Sequence, residues 1–259
     1  DCLRAAIHRA KTATTDTIAE QKKGHRDWWD GFWRQSLVEI GDPAIEQYYY
    51  GSQYILASST REGKVVPGLY GNWVTIDRPR WTGSYTLNYN YESPFWALFT
   101  ANHGDIARSY VDTLLDVIPI GRAYAQKKLS KRGVYLPVEL GPWGTICSTL
   151  FHGQKSNALY ATVNIILDFY YTWDAEFAKK AYPFLREVAD FWEDYLVLED
   201  DRYVVLDDAL GEQYDGSVDK NPIITLALLR FFFNGMISIS KATDMDSASL
   251  EQWQDILDR

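Results

Sequence analysis

Apolar residues recur at helical spacing along most of the chain. In Leu3–Lys23, four alanines and Ile7 fall on one side of a predicted helix. The following segment, His25–Leu37, has aromatic residues at positions i, i+1, i+4 and i+5, which predicts a wide apolar helical face. These residues are Trp28, Trp29, Phe32 and Trp33. We expect most of them to pack in the core.

Proline-containing pairs mark three further helix starts: Asp42-Pro43, Ser93-Pro94 and Asn221-Pro222. Asp, Ser and Asn suit the N-cap position, and proline suits the first helical position. The first of these helices is predicted to run to about Ser59. The other predicted helices are Ile106–Leu129, Ser156–Trp173, Ala175–Leu198, Pro222–Lys241 and one that begins at Ser247.

Strand signals are short and local. Val134–Val138 and Tyr203–Leu206 suit hairpin fragments within loops. Strands and helices do not alternate as they do around a parallel sheet, so the predicted fold class is all-α.

Three long connections separate the helix pairs: Thr60–Tyr91, Ser130–Lys155 and Val204–Asn221. Long loops at one end of a helical array are typical of a toroid of helical hairpins with a site at one mouth. A closed ring of six hairpins needs more helices than this chain supplies. We therefore expect one catalytic domain over residues 1–259, an (α/α)6 toroid or an incomplete part of one, truncated at both ends.

Composition narrows the function. The chain has 259 residues, a net charge of −9 and 15% aromatic residues, including 10 tryptophans and 18 tyrosines. A nucleic-acid-binding protein would show a basic stripe, and the sequence has none. Aromatic residues in excess of what a core needs, in an acidic chain, favour neutral substrates such as sugars.

Metal and redox chemistry have no support in the motifs. Cys2 and Cys147 are the two cysteines, and neither CxxC nor HExxH spacing occurs. We expect no metal and no cofactor. No window of about 18 uninterrupted apolar residues occurs, so no membrane span is expected.

The stretch Gly71–Trp96 concentrates candidate binding chemistry in a long loop. Asn88 and Asn90 lie two residues apart and would share one side of an extended strand, where they could hold sugar hydroxyls or a water. The alternative is turn chemistry, which asparagine also favours. Glu92 follows them and is a candidate substrate-binding residue.

Three tryptophans lie in loops beside glycine or proline: Trp73, Trp81 and Trp143. Stacking on a sugar face is one use for such rings, and capping of the core is the alternative for each of them. His103 stands at a predicted helix end, where a C-cap role is favoured over catalysis.

Glu212 lies in an acidic segment between a predicted strand and a proline-initiated helix. The other carboxylates there are Asp207, Asp208, Asp215 and Asp219. A solvated acidic loop is one interpretation. The alternative is that one of these groups is a general acid whose pKa is raised in a dry pocket, and Gly211 would allow a close backbone approach to Glu212.

Three stretches resemble the catalytic barrel of glycoside hydrolase family 95, the inverting α-L-fucosidase and α-L-galactosidase group. HRDWWDGFW, at His25–Trp33, is similar to the family's H-x-x-x-W-x-x-F-W. LNYNYESPFW, at Leu87–Trp96, is similar to L-N-I-N-L-Q-M-N-Y-W. Phe169–Glu212 resembles a helix pair that ends in a loop of the type S-P-S-x-S-P-E.

The resemblance implies roles for specific residues. Glu212 falls on the general acid, and Asn88 and Asn90 fall on the pair that orients the attacking water with a later Asp. It also implies an (α/α)6 barrel after a β-domain, with that domain, the remaining barrel helices and the base Asp outside residues 1–259, and an extracellular or periplasmic location. The sequence departs from the family at Thr86, where the family has His, and at Glu92, where it has Gln.

The functional hypothesis is therefore inverting hydrolysis of an α-L-fucoside or α-L-galactoside within a glycan. Other classes remain open: another helical-toroid carbohydrate enzyme such as a phosphorylase or lyase, a non-catalytic glycan-binding helical domain, and a purely structural fragment. The structural fragment leaves the loop tryptophans unexplained.

Overall fold

A computed structural model describes residues 2–209 and 217–259. Helices dominate this part of the chain, and the all-α fold class is confirmed. The helices are α1 Cys2–Thr12, α2 Thr15–Trp33, α3 Pro43–Ser59, α4 Ser93–Thr100, α5 Gly104–Ala107, α6 Ser109–Asp116, α7 Ile118–Tyr124, α8 Asn157–Ala161, α9 Val163–Thr172, α10 Ala175–Tyr195, α11 Ile223–Thr243 and α12 Leu250–Asp258. An antiparallel hairpin pairs β1 Val197–Glu199 with β2 Arg202–Val204.

The prediction of one continuous helix over Leu3–Lys23 was wrong, because two helices, α1 and α2, cover this segment. Thr14 separates α1 from α2 and caps α2, because its hydroxyl accepts from the backbone N–H of Thr17 at 3.2 Å while the Thr17 hydroxyl satisfies the Thr14 N–H at 2.7 Å. This reciprocal capping box favours a new helix start over continuation of α1. The aromatic segment predicted after it belongs to α2.

The Asp42-Pro43 start is confirmed. The Asp42 carboxylate accepts from the backbone N–H groups of Ala44 and Ile45 at 3.0 and 3.3 Å. At Asn221-Pro222 the signal has a different cause. Asn221 adopts a left-handed backbone, and its Oδ1 accepts from Val205 N at 2.8 Å, so it ties the preceding connection instead of capping α11.

His103 was predicted as a helix C-cap, but the C-cap of α4 is Ala101, and His103 contributes to this helix end through its backbone. Its backbone N–H donates to Leu98 O at 2.7 Å, following Asn102 in a left-handed conformation. The ring stacks on Phe32 with centroids 3.7 Å apart, and its Nδ1 lies 2.9 Å from Gln35 Oε1. The side chain therefore joins α2 to the end of α4.

The core lies among five packed helices. Helix α9 packs on α4, α10 and α11, and α10 packs also on α6 and α11. Their shared interior contains fully buried aromatic side chains: Phe169, Phe184, Phe191, Trp192, Phe232 and Phe233. This helix-on-helix packing is consistent with the predicted part of an α/α toroid.

Val134–Val138 was predicted as a hairpin fragment, but β1 and β2 are the strands that pair in a ladder among the described residues. The segment is instead a buried extended stretch, and Val134 N and Tyr135 N donate to carbonyls of Glu187 and Gly121. Gly133 makes the approach possible, because a Cβ at that position would lie 2.0 Å from Glu187 O.

Helix α11 is long and apolar enough to span a membrane by length and composition. It packs against α9, α10 and α12, and residues such as Phe232, Phe233 and Met236 are fully buried. These contacts are those of a core helix.

Candidate functional site

Three long connections precede α4, α8 and α11, and we call them the first (60–92), second (130–156) and third (205–222) rim connections. The first and second are joined by their backbones, because Tyr85 N donates to Leu140 O at 2.8 Å and Leu87 N donates to Val138 O at 2.7 Å. The second and third are joined by Lys155 N, which donates to the Asp208 carboxylate at 2.6 Å. The described parts of these connections therefore contact one another.

The two candidate asparagines lie in consecutive turns at 87–92, so turn chemistry is the alternative that the structure shows. Backbone bonds from Tyr91 N to Thr86 O and from Ser93 N to Tyr89 O close the turns before α4. Asn88 is buried at 3% exposure, whereas Asn90 is half-buried. The shared side of an extended strand that the sequence suggested is not present.

Asn90 borders a cavity of about 290 Å³ between α3, Pro67–Gly71 and the start of α4. The walls are mostly apolar, with contributions from Ile55, Leu69 and Phe95. A carboxamide at the edge of an apolar cavity can orient a hydroxyl-bearing ligand while the walls cover its apolar surface.

Glu92 has no exposed surface and stands at the N-terminus of α4. Both of its carboxyl oxygens lack a hydrogen-bond partner among the described residues. Burial raises the pKa of this carboxyl well above its ordinary value. The Asn164 side chain donates to the Glu92 backbone oxygen at 3.1 Å and so connects α9 to this turn.

The loop tryptophans are exposed, and Trp73 and Trp143 lie beside different cavities. Trp73 is 52% exposed, and its ring lies over Gly71, beside the cavity that Asn90 borders. Trp143 is 73% exposed and lines a different cavity with Asp112 and Asp116 of α6. Trp81 is 53% exposed in a left-handed conformation. Trp73 therefore lies against Gly71, one of the residues that line the cavity bordered by Asn90.

A cluster at the third rim connection was not singled out from the sequence. Asp208 has no exposed surface and accepts from Lys155 N at 2.6 Å and from the Thr225 hydroxyl at 2.7 Å. Its neighbour Asp207 accepts from the Lys155 ammonium and from the Tyr195 hydroxyl. The interpretation of a wholly solvated acidic loop was therefore wrong for Asp208.

The two aspartates differ in their pKa shifts. Burial raises the pKa of Asp208, although hydrogen bonds from Lys155 and Thr225 oppose the shift. Burial alone would also raise the pKa of Asp207, but the hydrogen bonds from Lys155 and Tyr195 hold it below its ordinary value. One visible sequence signal was the adjacent Asp pair between a strand and the proline-initiated helix.

Glu212, the predicted general acid, lies outside the described residues. The backbones on either side of it are described, since Asp208 N donates to Asp219 O at 3.1 Å and Asp219 N donates to Asp208 O at 2.9 Å. Both ends of the segment that contains Glu212 are thus attached to the rim.

Comparison with known families agrees with this architecture. The model of the glycosyl hydrolase family 95 catalytic domain matches residues 10–259. The chain belongs to glycoside hydrolase family 95.

Two curated relatives of the family 95 chain are α-fucosidases by name. Alpha-L-fucosidase 2 of Arabidopsis thaliana is 24% identical over 92% of this chain, and Probable alpha-fucosidase A of Aspergillus niger is 26% identical over 64% of it. The matched regions span 29% and 22% of those two proteins. The family 95 chain therefore corresponds to less than a third of the length of either relative.

Proposed function

We propose that the protein is a glycosidase that hydrolyses an α-linked L-sugar, of the α-L-fucoside or α-L-galactoside class, with inversion at the anomeric carbon. Membership of family 95 and the names of the two relatives support the reaction and the substrate class. The observation that carries the site is the hydrogen-bonded rim, because it joins the asparagine turn to both ends of the segment that contains Glu212.

In the proposed mechanism, Glu212 is the general acid. Its proton moves to the glycosidic oxygen as the bond from that oxygen to the anomeric carbon breaks. A water held by Asn88 and Asn90 adds to the opposite face and gives its proton to a carboxylate base, which we assign to no residue of this chain. Inverting enzymes space the two carboxyl groups about 6.5–9.5 Å apart to admit that water.

Sugar binding is proposed for four further residues: Glu92, Trp73, Trp81 and Trp143. Trp73 has the strongest support of the tryptophans, because its exposed ring lies beside the cavity that Asn90 borders. A ring of this kind covers the apolar face of a sugar, while an amide holds its hydroxyl groups.

The reaction is tested by NMR of the purified protein with α-L-fucosyl and α-L-galactosyl oligosaccharides. We expect the β-anomer of the released sugar to appear first and the α-anomer to grow in by mutarotation. Initial release of the α-anomer would contradict inversion. Glycan binding with no release of sugar would instead favour the non-catalytic alternative.

The acid is tested by Glu212→Gln, which keeps the shape of the side chain and removes its acidic proton. We expect kcat on an unactivated oligosaccharide to fall by about 10²–10⁴, because that is the usual contribution of a general acid. Binding of the oligosaccharide, measured by calorimetry, should be retained. Glu176→Gln is the control, since Glu176 is an exposed glutamate in the first turn of α10. Ordinary activity in Glu212→Gln would refute the assignment.

A further inference from the structure

We propose that Trp143 and Asp116 form a second glycan-binding site, which holds a neutral sugar unit other than the one that is hydrolysed. The site lies between residues 63–65 of the first rim connection, α6 and the turn Pro142–Gly144 of the second rim connection. The inference rests on the proposed function for its class of ligand, a glycan. Every residue that carries it is described by the structure.

A separate cavity of about 180 Å³ defines this site. It shares no lining residue with the cavity that Asn90 borders. Lys64, Asp112 and Asp116 bring charged groups to its walls, while Trp143 brings an aromatic ring. Because pockets for drug-sized ligands measure about 300–1,000 Å³, a cavity of this size suits a single sugar ring.

The backbone fixes where the ring of Trp143 lies. The turn that carries it is closed by Thr145 N, which donates to Pro142 O at 3.1 Å. The turn also packs on the end of α6, since a Cβ at Gly144 would lie 3.5 Å from Asp116 O. The aromatic ring and the carboxylates of α6 are therefore held at one place by structure that needs no ligand.

Stability alone does not account for this tryptophan. Trp143 has a left-handed backbone, with φ 56, which is unfavourable for a residue with a side chain. Its ring is 73% exposed, so packing returns little for that cost. Trp173 combines a left-handed backbone with an exposed ring as well, but it does not line the cavity. The feature that indicates a ligand is therefore the combination of the ring with a polar cavity.

The charged groups indicate which ligand the cavity suits. Asp112 is paired with Lys180 at 2.7 Å, whereas Asp116 has no ion-pair partner among the described residues and can accept from sugar hydroxyl groups. An indole ring covers the apolar face of a sugar at the same time. Two carboxylates against the single ammonium of Lys64 disfavour an anionic sugar.

The experiment is calorimetry of the purified protein with lacto-N-tetraose, a neutral oligosaccharide without an α-L-linked sugar. We expect Trp143→Gly to weaken binding by about tenfold and Asp116→Ala by about threefold. The sialylated form of the same tetrasaccharide should bind more weakly than the neutral one. Equal or tighter binding of the sialylated form would contradict a site for neutral sugars.

Urea unfolding of Trp143→Gly separates binding from packing. Glycine adopts the left-handed conformation without strain, so the midpoint of unfolding should stay the same or rise. A ring that only covers the core would give the opposite result, a lower midpoint. That result would overturn the binding role even if affinity were also lost.

Trp173→Gly is the matched control, because Trp173 follows α9 with φ 53 and is 65% exposed. Its affinity for lacto-N-tetraose should equal that of the parent. No binding by the parent, unchanged affinity in Trp143→Gly and Asp116→Ala, or an equal loss in the control would overturn the site.

The site and the proposed function can fail separately. If NMR shows release of an α-linked L-sugar but affinity for lacto-N-tetraose does not depend on Trp143, the function stands and the second site falls. If affinity depends on Trp143 and no sugar is released, the second site stands and the hydrolytic function falls.

Discussion

Asp208 and Glu92 are two carboxyl groups with no exposed surface, and both lie at the rim. Asp208 has a hydrogen-bond donor on each oxygen, whereas both oxygens of Glu92 lack a partner among the described residues. The pKa of Glu92 is raised well above its ordinary value by burial, but at Asp208 the donors oppose the same effect. Burial alone does not determine the charge of a carboxyl group, because the surrounding donors decide whether an anion is stable.

The largest expected effect is loss of the satisfied carboxylate. Asp208→Ala would leave Lys155 N and the Thr225 hydroxyl without their acceptor in a buried site. We expect the free energy of unfolding to fall by about 3 kcal/mol or more, because each hydrogen bond to a charged group contributes about 1.5–3 kcal/mol. Urea unfolding followed by circular dichroism measures this. A loss below about 1 kcal/mol would show that water replaces the side chain without penalty.

The next effect concerns Glu92 and depends on pH. An acid whose pKa is raised by folding holds its proton in the folded protein while the unfolded chain has already lost it. Its contribution to stability is full below the ordinary carboxyl pKa and is lost as the pH rises above it, by up to about 1.4 kcal/mol per pH unit. Glu92→Gln removes this loss. Its stability relative to the parent should therefore rise as the pH increases above about 4.5.

Glutamine also resembles a protonated glutamic acid in shape and in offering one donor and one acceptor group. Thermal unfolding at a series of pH values measures the difference between the two proteins. Glu187→Gln serves as a control with the opposite expectation. Glu187 accepts hydrogen bonds from both Nε and Nη2 of Arg122, so its neutralisation should destabilise the protein. A pH-independent difference between parent and Glu92→Gln would contradict a neutral Glu92.

The smallest expected effect is seen when a polar group that contacts Asp208 is compared with one that lies close to Glu92 in the sequence. Thr225→Val removes a hydroxyl that donates to Asp208, which should cost about 1.5–3 kcal/mol. Trp96→Phe removes an indole N–H that has no partner among the described residues, so the cost should stay below about 1 kcal/mol. Chemical denaturation of both variants tests the contrast. Equal losses would mean that the indole N–H has a partner, such as a bound water.

Local rules predicted much of the fold. The Asp42 cap and the end of α4 near His103 were readable because a few adjacent residues determine them. The break at Thr14 was missed, since apolar spacing continues through it and the reciprocal cap outweighs that pattern. The sequence of Val134–Val138 predicts a strand, but its backbone N–H groups donate to carbonyl groups distant in the sequence, such as Glu187 O.

The site was less predictable because its contacts also join residues that are distant in the sequence. Sequence reasoning selected Asn88, Asn90 and Glu92, yet it could not foresee a turn that buries Asn88 and Glu92 while Asn90 borders a cavity. Asp208 looked like one carboxylate in an acidic run, because the donors that bury it come from positions 155 and 225. Assignment of Glu212 came from family resemblance and stays a prediction.

The bonds between the first and second rim connections run from amide to carbonyl, at Tyr85–Leu140 and Leu87–Val138. Every residue except proline brings the same two groups to such a pairing, so exchange of the side chains leaves the join in place. Side chains that line the pocket can therefore be substituted while these backbone hydrogen bonds are retained. Side chains that project from the rim could therefore change to fit a different sugar while the backbone hydrogen bonds between these two connections are retained.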